Sequence, residues 1–289
     1  MKLDIELFNT FLQVAATQSI SRAAAALHLT QSAVSKRILG LEQALQVRLF
    51  DRIGHKLLLT EAGSILVPKS RKIIDEINDS RVLLRNLEQQ VAGPLTLGTS
   101  HHIGLHRLPP VLRHYTQRYP RVTLDIRFLD SEQGCIGVET GELEMAIVTL
   151  PLEVPAALHT QVTWQDTLVF VVGKDHALAR HDRVELDRLS AHKAILPGPG
   201  TYTRTILERA LQPLAVRLQS TMSTNYLETI KMLVSVGLGW SILPLSMCDQ
   251  ELHQLQVPGL KLARQLGIVT HTSRTLSNAA QALIKLLSA

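Results

Sequence analysis

The chain has 289 residues, 45% hydrophobic and 19% charged, with no repeat or low-complexity tract, a composition that suits about two folded domains and leaves little room for disorder. Thirty Lys and Arg against 25 Asp and Glu suit an anionic partner without identifying one. Two cysteines, Cys135 and Cys248, are too few for a disulfide scaffold; "MKLDIELFNTFL" carries acidic residues where a secretory leader is apolar, and the longest apolar runs fall short of the roughly 20 residues that span a bilayer. The expectation is a soluble cytoplasmic protein that does not enter a membrane.

From the start, Leu3, Leu7, Phe8, Phe11, Val14 and Ala15 recur at helical spacing, which predicts a helix ending near "ATQS". Ser21 then reads as the N-cap of a short alanine-rich helix whose small residues allow close approach by another helix. After the turn "HLT", Thr30 caps a longer helix in which Val34, Ile38, Leu41 and Leu45 face inward. Its other face carries Ser32, Lys36, Leu39 and Gln43, with Gln31 and Ser35 on the flank of the first turns. A short polar and basic surface projecting from a helix N-terminus is the shape of a helix that reads a major groove.

"VRLFDRIGHKLLLT" reads as two strands joined by a turn at Gly54 and His55, with Arg52, His55 and Lys56 near the tip. Thr60 caps a long helix to about residue 91, where Ile73, Ile77, Leu84, Leu87 and Val91 form one stripe; Pro68 kinks it or marks an irregular first section. Ile73, Ile77, Leu84 and Leu87 have no evident partner within the chain, which predicts that this helix dimerises.

Gly93-Pro94 breaks the helix, and short apolar strands then alternate with helices. Strands are expected at 95–99, 123–128, 144–148, 168–172, 194–197, 217–220, 241–244 and 267–271. Helices are expected around 104–118, 131–140, 202–212, 225–236 and 276–288. The alternation predicts parallel sheets covered on both faces.

"FLQVAATQSISRAAAALHLTQSAVSKRILGLEQAL", "RLFDR" and "LTEAG" together resemble the winged helix-turn-helix of LysR-type transcriptional regulators, and "GLGWSILP" resembles that family's glycine turn into a strand. The resemblance implies an N-terminal all-α winged helix-turn-helix with a long linker helix, followed by an α/β two-lobed periplasmic-binding-protein-like effector domain. On this division residues 1–60 bind DNA, 61–92 form the linker and dimerisation helix, and 93–289 form the regulatory domain. Its lobe I covers about 93–163 and 268–289, and lobe II about 164–267. The implied partners are double-stranded promoter DNA, a small-molecule effector and further copies of the chain as dimer and tetramer, with RNA polymerase as a further candidate. No cofactor and no catalytic activity are implied.

By position, the family's DNA-facing residues fall on Gln31, Ser32, Ser35 and Lys36, with Arg52 at the wing. Where many members have Pro and Arg, this chain has Ser32 and Lys36, which keep the binding chemistry. Independently, Gln can pair with an adenine edge, Ser with base or phosphate, and Lys and Arg with guanine or phosphate. The effector cleft is implied at Ser100 and His101, Ser131 and Thr149 on one lobe, facing Thr201 and Thr224 on the other, with Arg204 as a nearby charge. A helix N-terminus at Ser100 and His101 favours an anionic effector.

Other patterns have plainer readings. In "HHIGLH", His102 and His106 lie one turn apart, but there is no intervening Glu and no acidic residue or Cys nearby in sequence to complete a zinc site, so no metal is expected. "LPGPGT" lacks the Lys and spaced glycines of a phosphate-binding loop, and the cysteines read as structural thiols rather than a redox switch. No G-x-S-x-G, HExxH or CxxC signals an enzyme. Residues 95–289 alone would fit a solute-binding protein or ligand-binding co-regulator; residues 1–60 argue against that alternative.

Overall fold

A computed structural model describes residues 3–53, 56–214 and 220–288. The chain divides into two units, Met1–Glu88 and Gln89–Ala289.

In the first unit, α1 (Ile5–Thr17), α2 (Ile20–Ala26) and α3 (Gln31–Leu45) precede a hairpin of β1 (Phe50–Ile53) and β2 (Lys56–Leu59), and α4 (Glu61–Asn86) follows. Phe11, Val14, Ala23, Val34, Leu41 and Leu49 are buried together; Ala23 and Ala24 carry too little bulk to hold α2 away from its neighbours. Thr30 Oγ1 accepts from Ala33 N–H at 3.2 Å and Thr60 Oγ1 from Gly63 N–H at 3.0 Å, as their cap positions predict. The cap of α2 is Ser19 rather than Ser21: Ser19 is extended and accepts from Arg22 N–H, so Ser21 already lies within the first turn. Gly63 is required by close approach, because a Cβ there would sit 2.2 Å from the Leu49 carbonyl oxygen.

β1 and β2 pair antiparallel from Phe50 opposite Leu59 to Ile53 opposite Lys56, while the expected turn at Gly54 and His55 lies outside the described residues. α4 runs unbroken through Pro68. It ends at Asn86, earlier than the 91 expected, and Gln89 adopts a left-handed conformation (φ 53°) that stops helical propagation. Val91 therefore leaves the α4 stripe and packs in the core of the second unit.

The second unit begins with β3 (Gly93–Thr99), α5 (His101–His106), α6 (Leu108–Arg118), β4 (Val122–Phe128), α7 (Ser131–Thr140) and β5 (Met145–Thr149). It continues through β6 (Leu158–Gly173), α8 (Leu186–Ser190), β7 (Ala194–Leu196), α9 (Tyr202–Leu211), β8 (Ser220–Ser223) and α10 (Leu227–Ser235). β9 (Ser241–Pro244), β10 (Leu252–Leu255), β11 (Leu262–His271) and α11 (Asn278–Leu287) complete it. The single helix expected at 104–118 is two, because Pro109 and Pro110 fit the first turn of α6 but cannot continue α5. Most of the strand expected at 217–220 lies outside the described residues.

β7 and β8 pair parallel, as expected, but the seven-stranded sheet is mixed. β3 is parallel to β4 and β5, but β11 is antiparallel to both β5 and β6, and β9 and β10 are antiparallel to β6. The cause is a pair of crossover strands: β6 and β11 run beside each other from Leu158 opposite His271 to Leu168 opposite Leu262. The strands expected at 168–172 and 267–271 are only their apolar halves; the rest, as in "LHTQVTWQDT", is too polar to read as a buried strand. One lobe centres on Leu95, Leu97, Tyr115, Ile147 and Leu283, the other on Phe170, Leu196, Leu207, Trp240 and Ile242. Among the described residues no helix is long and apolar enough to cross a membrane.

Candidate functional site

On α3, Gln31, Ser32, Ser35 and Lys36 are all exposed while Val34, Ile38 and Leu41 hold the opposite face in the core. Arg37 is drawn away from that surface, pairing with Glu6 at 3.0 Å and Thr10 Oγ1 at 3.2 Å on α1. Glu42, which the sequence pattern does not single out, accepts from Leu49 N–H at 2.7 Å and Phe50 N–H at 3.3 Å and so fixes the hairpin against α3. Arg52 lies in β1 opposite Leu57, and its side chain is outside the described residues. Along α4 and at its C-cap, Ile73, Leu84 and Leu87 are exposed and Ile77 is half-buried, an apolar row left uncovered.

The two lobes of the second unit meet at a small cavity of about 50 Å³. Ser100, His101, Ser131, Thr149 and Thr201 all line it, but Thr224 does not; the next residue, Asn225, stands in its place. Thr224 instead accepts from Tyr226 N–H at 3.4 Å, as a helix-entry residue. Several of these hydroxyls are engaged within the fold. Ser131 Oγ accepts from Thr149 N–H at 3.1 Å, and Thr201 Oγ1 donates to Gly198 O at 2.8 Å. Ser100 makes no side-chain bond to α5, and the His101 ring packs between Phe128 and Tyr226, at 5.4 and 4.5 Å between centroids.

Arg204 is tied to Glu208 at 2.7 Å and Pro197 O at 3.3 Å. The guanidinium lining the cavity belongs instead to Arg264. It is buried, contacts Asp166 Oδ2 through Nε and Nη2 at 2.8 and 2.7 Å, and donates to Thr203 Oγ1 at 3.0 Å; Arg107 stands 3.7 Å from the other Asp166 oxygen. Burial lowers the pKa of Arg264. Sequence reasoning missed this pair because Asp166 and Arg264 face each other only through the crossover of β6 and β11.

Polar contacts also cross the junction. Glu132 accepts from Tyr202 N–H at 2.5 Å at the start of α9, and burial raises the pKa of its carboxyl. Asn225 donates to Asp130 at 2.7 Å while accepting from Gly198 N–H at 2.9 Å. His106 on α5 meets Glu228 on α10 at 3.0 Å. His102, one turn earlier, is 4% exposed, and neither ring nitrogen has a hydrogen-bond partner. Burial, with the charge of Arg264, lowers its pKa to about 4, so the ring is neutral at neutral pH. The third donor absent near "HHIGLH" in sequence thus arrives from the facing lobe.

The thiols are poor nucleophiles: Cys135 is buried in α7, Cys248 packs in the other lobe, and burial raises the pKa of both.

A family model described as the LysR substrate binding domain matches residues 88–289, and one described as bacterial regulatory helix-turn-helix protein, lysR family, matches residues 5–64. An uncharacterized HTH-type transcriptional regulator in the ibpB-leuC intergenic region of Azotobacter vinelandii is 57% identical over 108 residues, 37% of this chain and 75% of that protein. A probable RuBisCO transcriptional regulator of Synechocystis sp. is 30% identical over 94% of this chain and 82% of its own length. The solved structure of a full-length OxyR variant from Pseudomonas aeruginosa matches with a TM-score of 0.69 at 23% identity, covering 99% of this chain and 98% of that one, a likeness of fold. With the two family models together spanning nearly the whole chain, this protein belongs to the LysR family of transcriptional regulators, in which a DNA-binding helix-turn-helix is joined to an effector-binding domain.

Proposed function

We propose that the chain binds promoter DNA as a homo-oligomer and changes its grip when a small anionic effector enters the cleft between the two lobes. Residues 1–60 bind DNA, 61–92 link and dimerise, and 93–289 sense the effector, with lobe I at about 93–163 and 268–289 and lobe II at about 164–267. The observation that carries the DNA-binding part is the exposed quartet Gln31, Ser32, Ser35 and Lys36 on the first turns of α3, backed by a buried helix face. Arg52 adds a phosphate contact from the hairpin.

The uncovered row Ile73, Ile77, Leu84 and Leu87 supports dimerisation through α4, since pairing with a second copy removes apolar surface from water and presents two copies of α3 to successive half-sites. Ile77→Glu is expected to dissociate the dimer at low concentration and weaken operator binding; unchanged mass by light scattering and unchanged affinity would remove α4 as the interface. Pairing of dimers into tetramers and contact with RNA polymerase complete the proposed assembly.

For the effector, the serine and threonine hydroxyls, His101 and the Arg264 guanidinium support an anion, whereas Asp130 and Glu132 oppose one unless they move. Glu132 already occupies the N-terminus of α9 through Tyr202 N–H, so an effector carboxylate would take over a place that the fold fills with its own. Ser100→Asp adds a negative charge where the effector's must sit. Calorimetry on that variant should find effector binding lost, and gel shift on its own upstream DNA should find basal binding intact; wild-type effector affinity would refute the anion site.

A further inference from the structure

His102, His106 and Glu228 form a cluster that neither the DNA surface nor the effector reading uses. One donor atom from each lies within 4.8 Å of the other two. Two come from one turn of α5, with the imidazole rings 4.9 Å apart between centroids, and the third from the first turn of α10 on the facing lobe. Glu228 Oε1 is 3.0 Å from His106 Nε2 and 3.8 Å from His102 Nδ1. A hydrogen bond between His106 and Glu228 accounts for those two groups but leaves His102 unexplained. Its ring is buried with both nitrogens unpartnered beside the carboxylate, an arrangement that costs free energy unless another group satisfies it.

We propose that His102, His106 and Glu228 bind a zinc-type divalent metal ion that bridges the two lobes. Two imidazole nitrogens with one carboxylate oxygen suit zinc and its borderline neighbours, whereas magnesium and calcium favour all-oxygen sites and copper(I) favours sulfur. Ligand bonds of about 2.0 to 2.2 Å at tetrahedral angles set donor atoms about 3.5 Å apart, so the donors, now spread over up to 4.8 Å, must close by roughly 1 Å, and a tetrahedral ion keeps a fourth position for water. His106 and Glu228 are 48% and 37% exposed, which leaves the ion a path from solvent. Near His102 the buried Arg264 and Asp166 contribute opposite charges, so Glu228 supplies the balance of negative charge toward the ion. Because the ligands are split between lobes, the ion binds the closed arrangement in preference to an open one and shifts the population toward it. This site stands whether or not the cleft takes an anionic effector.

The test uses the full chain stripped with a chelator and titrated with Zn²⁺ alone by calorimetry, with Co²⁺ absorption as a second readout. One ion per chain is expected, with the intense visible band of four-coordinate cobalt. His106→Gln and Glu228→Gln should each weaken binding more than about 100-fold, beyond the 10- to 100-fold typical when only a ligand's orientation is disturbed. His114→Gln, on an exposed residue away from the cluster, should leave it unchanged. The two ligand variants alter an exposed and a half-buried side chain, and an unchanged melting temperature in chelator confirms that they fold. Failure to bind one Zn²⁺ per chain, or undiminished binding by either folded variant, overturns the proposal.

Discussion

The two units treat their polar groups in opposite ways. On α3 the side chains offered to a partner stand exposed, held in place by an apolar face and by Glu42 bonding the hairpin. At the lobe junction, His102 apart, the polar groups named above are already partnered: Glu132 with Tyr202, Asn225 with Asp130, Arg264 with Asp166 and Thr203. The first surface can dock as it is, by adding bonds. At those groups the second can admit a ligand only by exchanging bonds already made, so its affinity depends on what the displaced groups lose.

The largest expected effect comes from breaking the self-satisfied side. Arg264→Met leaves Asp166 buried without its main counter-charge and should cost about 3 to 5 kcal/mol, while replacing both residues by apolar ones should recover much of the loss. Trp164 and Trp240 both lie in the second unit, so tryptophan fluorescence during urea unfolding reports on it alone. A loss in the single variant below about 1 kcal/mol, typical of exposed pairs, would show that the ion pair does not hold the crossover.

On the DNA-binding side, Gly63→Ala tests how firmly the scaffold is held. Helix propensity alone would favour alanine by about 1 kcal/mol, but the new methyl would meet the Leu49 carbonyl at 2.2 Å, and overpacking costs about 1 to 3 kcal/mol. A lower melting temperature by circular dichroism is expected; a higher one would mean that the hairpin gives way freely. Gln31→Ala and Ser35→Ala should leave the fold unchanged and reduce discrimination between operator and random DNA by about 1 to 3 kcal/mol per lost base contact. Equal losses on both DNAs would reassign those residues to phosphate.

The smallest effect sharpens the account of the junction. Glu132 holds its proton more tightly in the folded chain than in the unfolded one, because burial raises its pKa above 4.5. Its contribution therefore destabilises the fold as pH rises from 4.5 through the raised value, and that cost disappears on acidification below 4.5. Glu132→Gln keeps an oxygen for Tyr202 N–H and removes the charge, so variant and wild type should diverge in stability as pH rises through that window. Parallel stability curves would indicate that the carboxylate is solvated.

The sequence disclosed what lies within one helix or one strand. Thr30, Val34, Ile38 and the α3 surface follow from helical periodicity, and α7 appears over the span its pattern predicts. The cleft was legible where it consists of strand-to-helix turns, and it slipped by one residue at Thr224, where the choice between neighbours depends on how the turn folds. Arg264 and Glu228 carried no local signal: one is a charge in a polar strand half, the other an ordinary half-buried helix residue 122 positions from its partner His106. Pairings of that separation are set by β6 and β11, whose antiparallel crossing the alternation of strands and helices concealed.

α11 has a consequence for how the protein is made. Ala279, Ala280 and Leu283 complete a core whose other walls, Leu95, Leu97, Tyr115 and Ile147, are translated far earlier, and the Tyr115 hydroxyl donates to Ala279 O at 2.8 Å. On the ribosome that first lobe waits, its apolar strands open, while the whole of the second is synthesised. The helix-turn-helix, built from neighbouring segments, needs no such delay. A nascent chain can therefore acquire its DNA-binding surface well before the lobe that helps regulate it has closed.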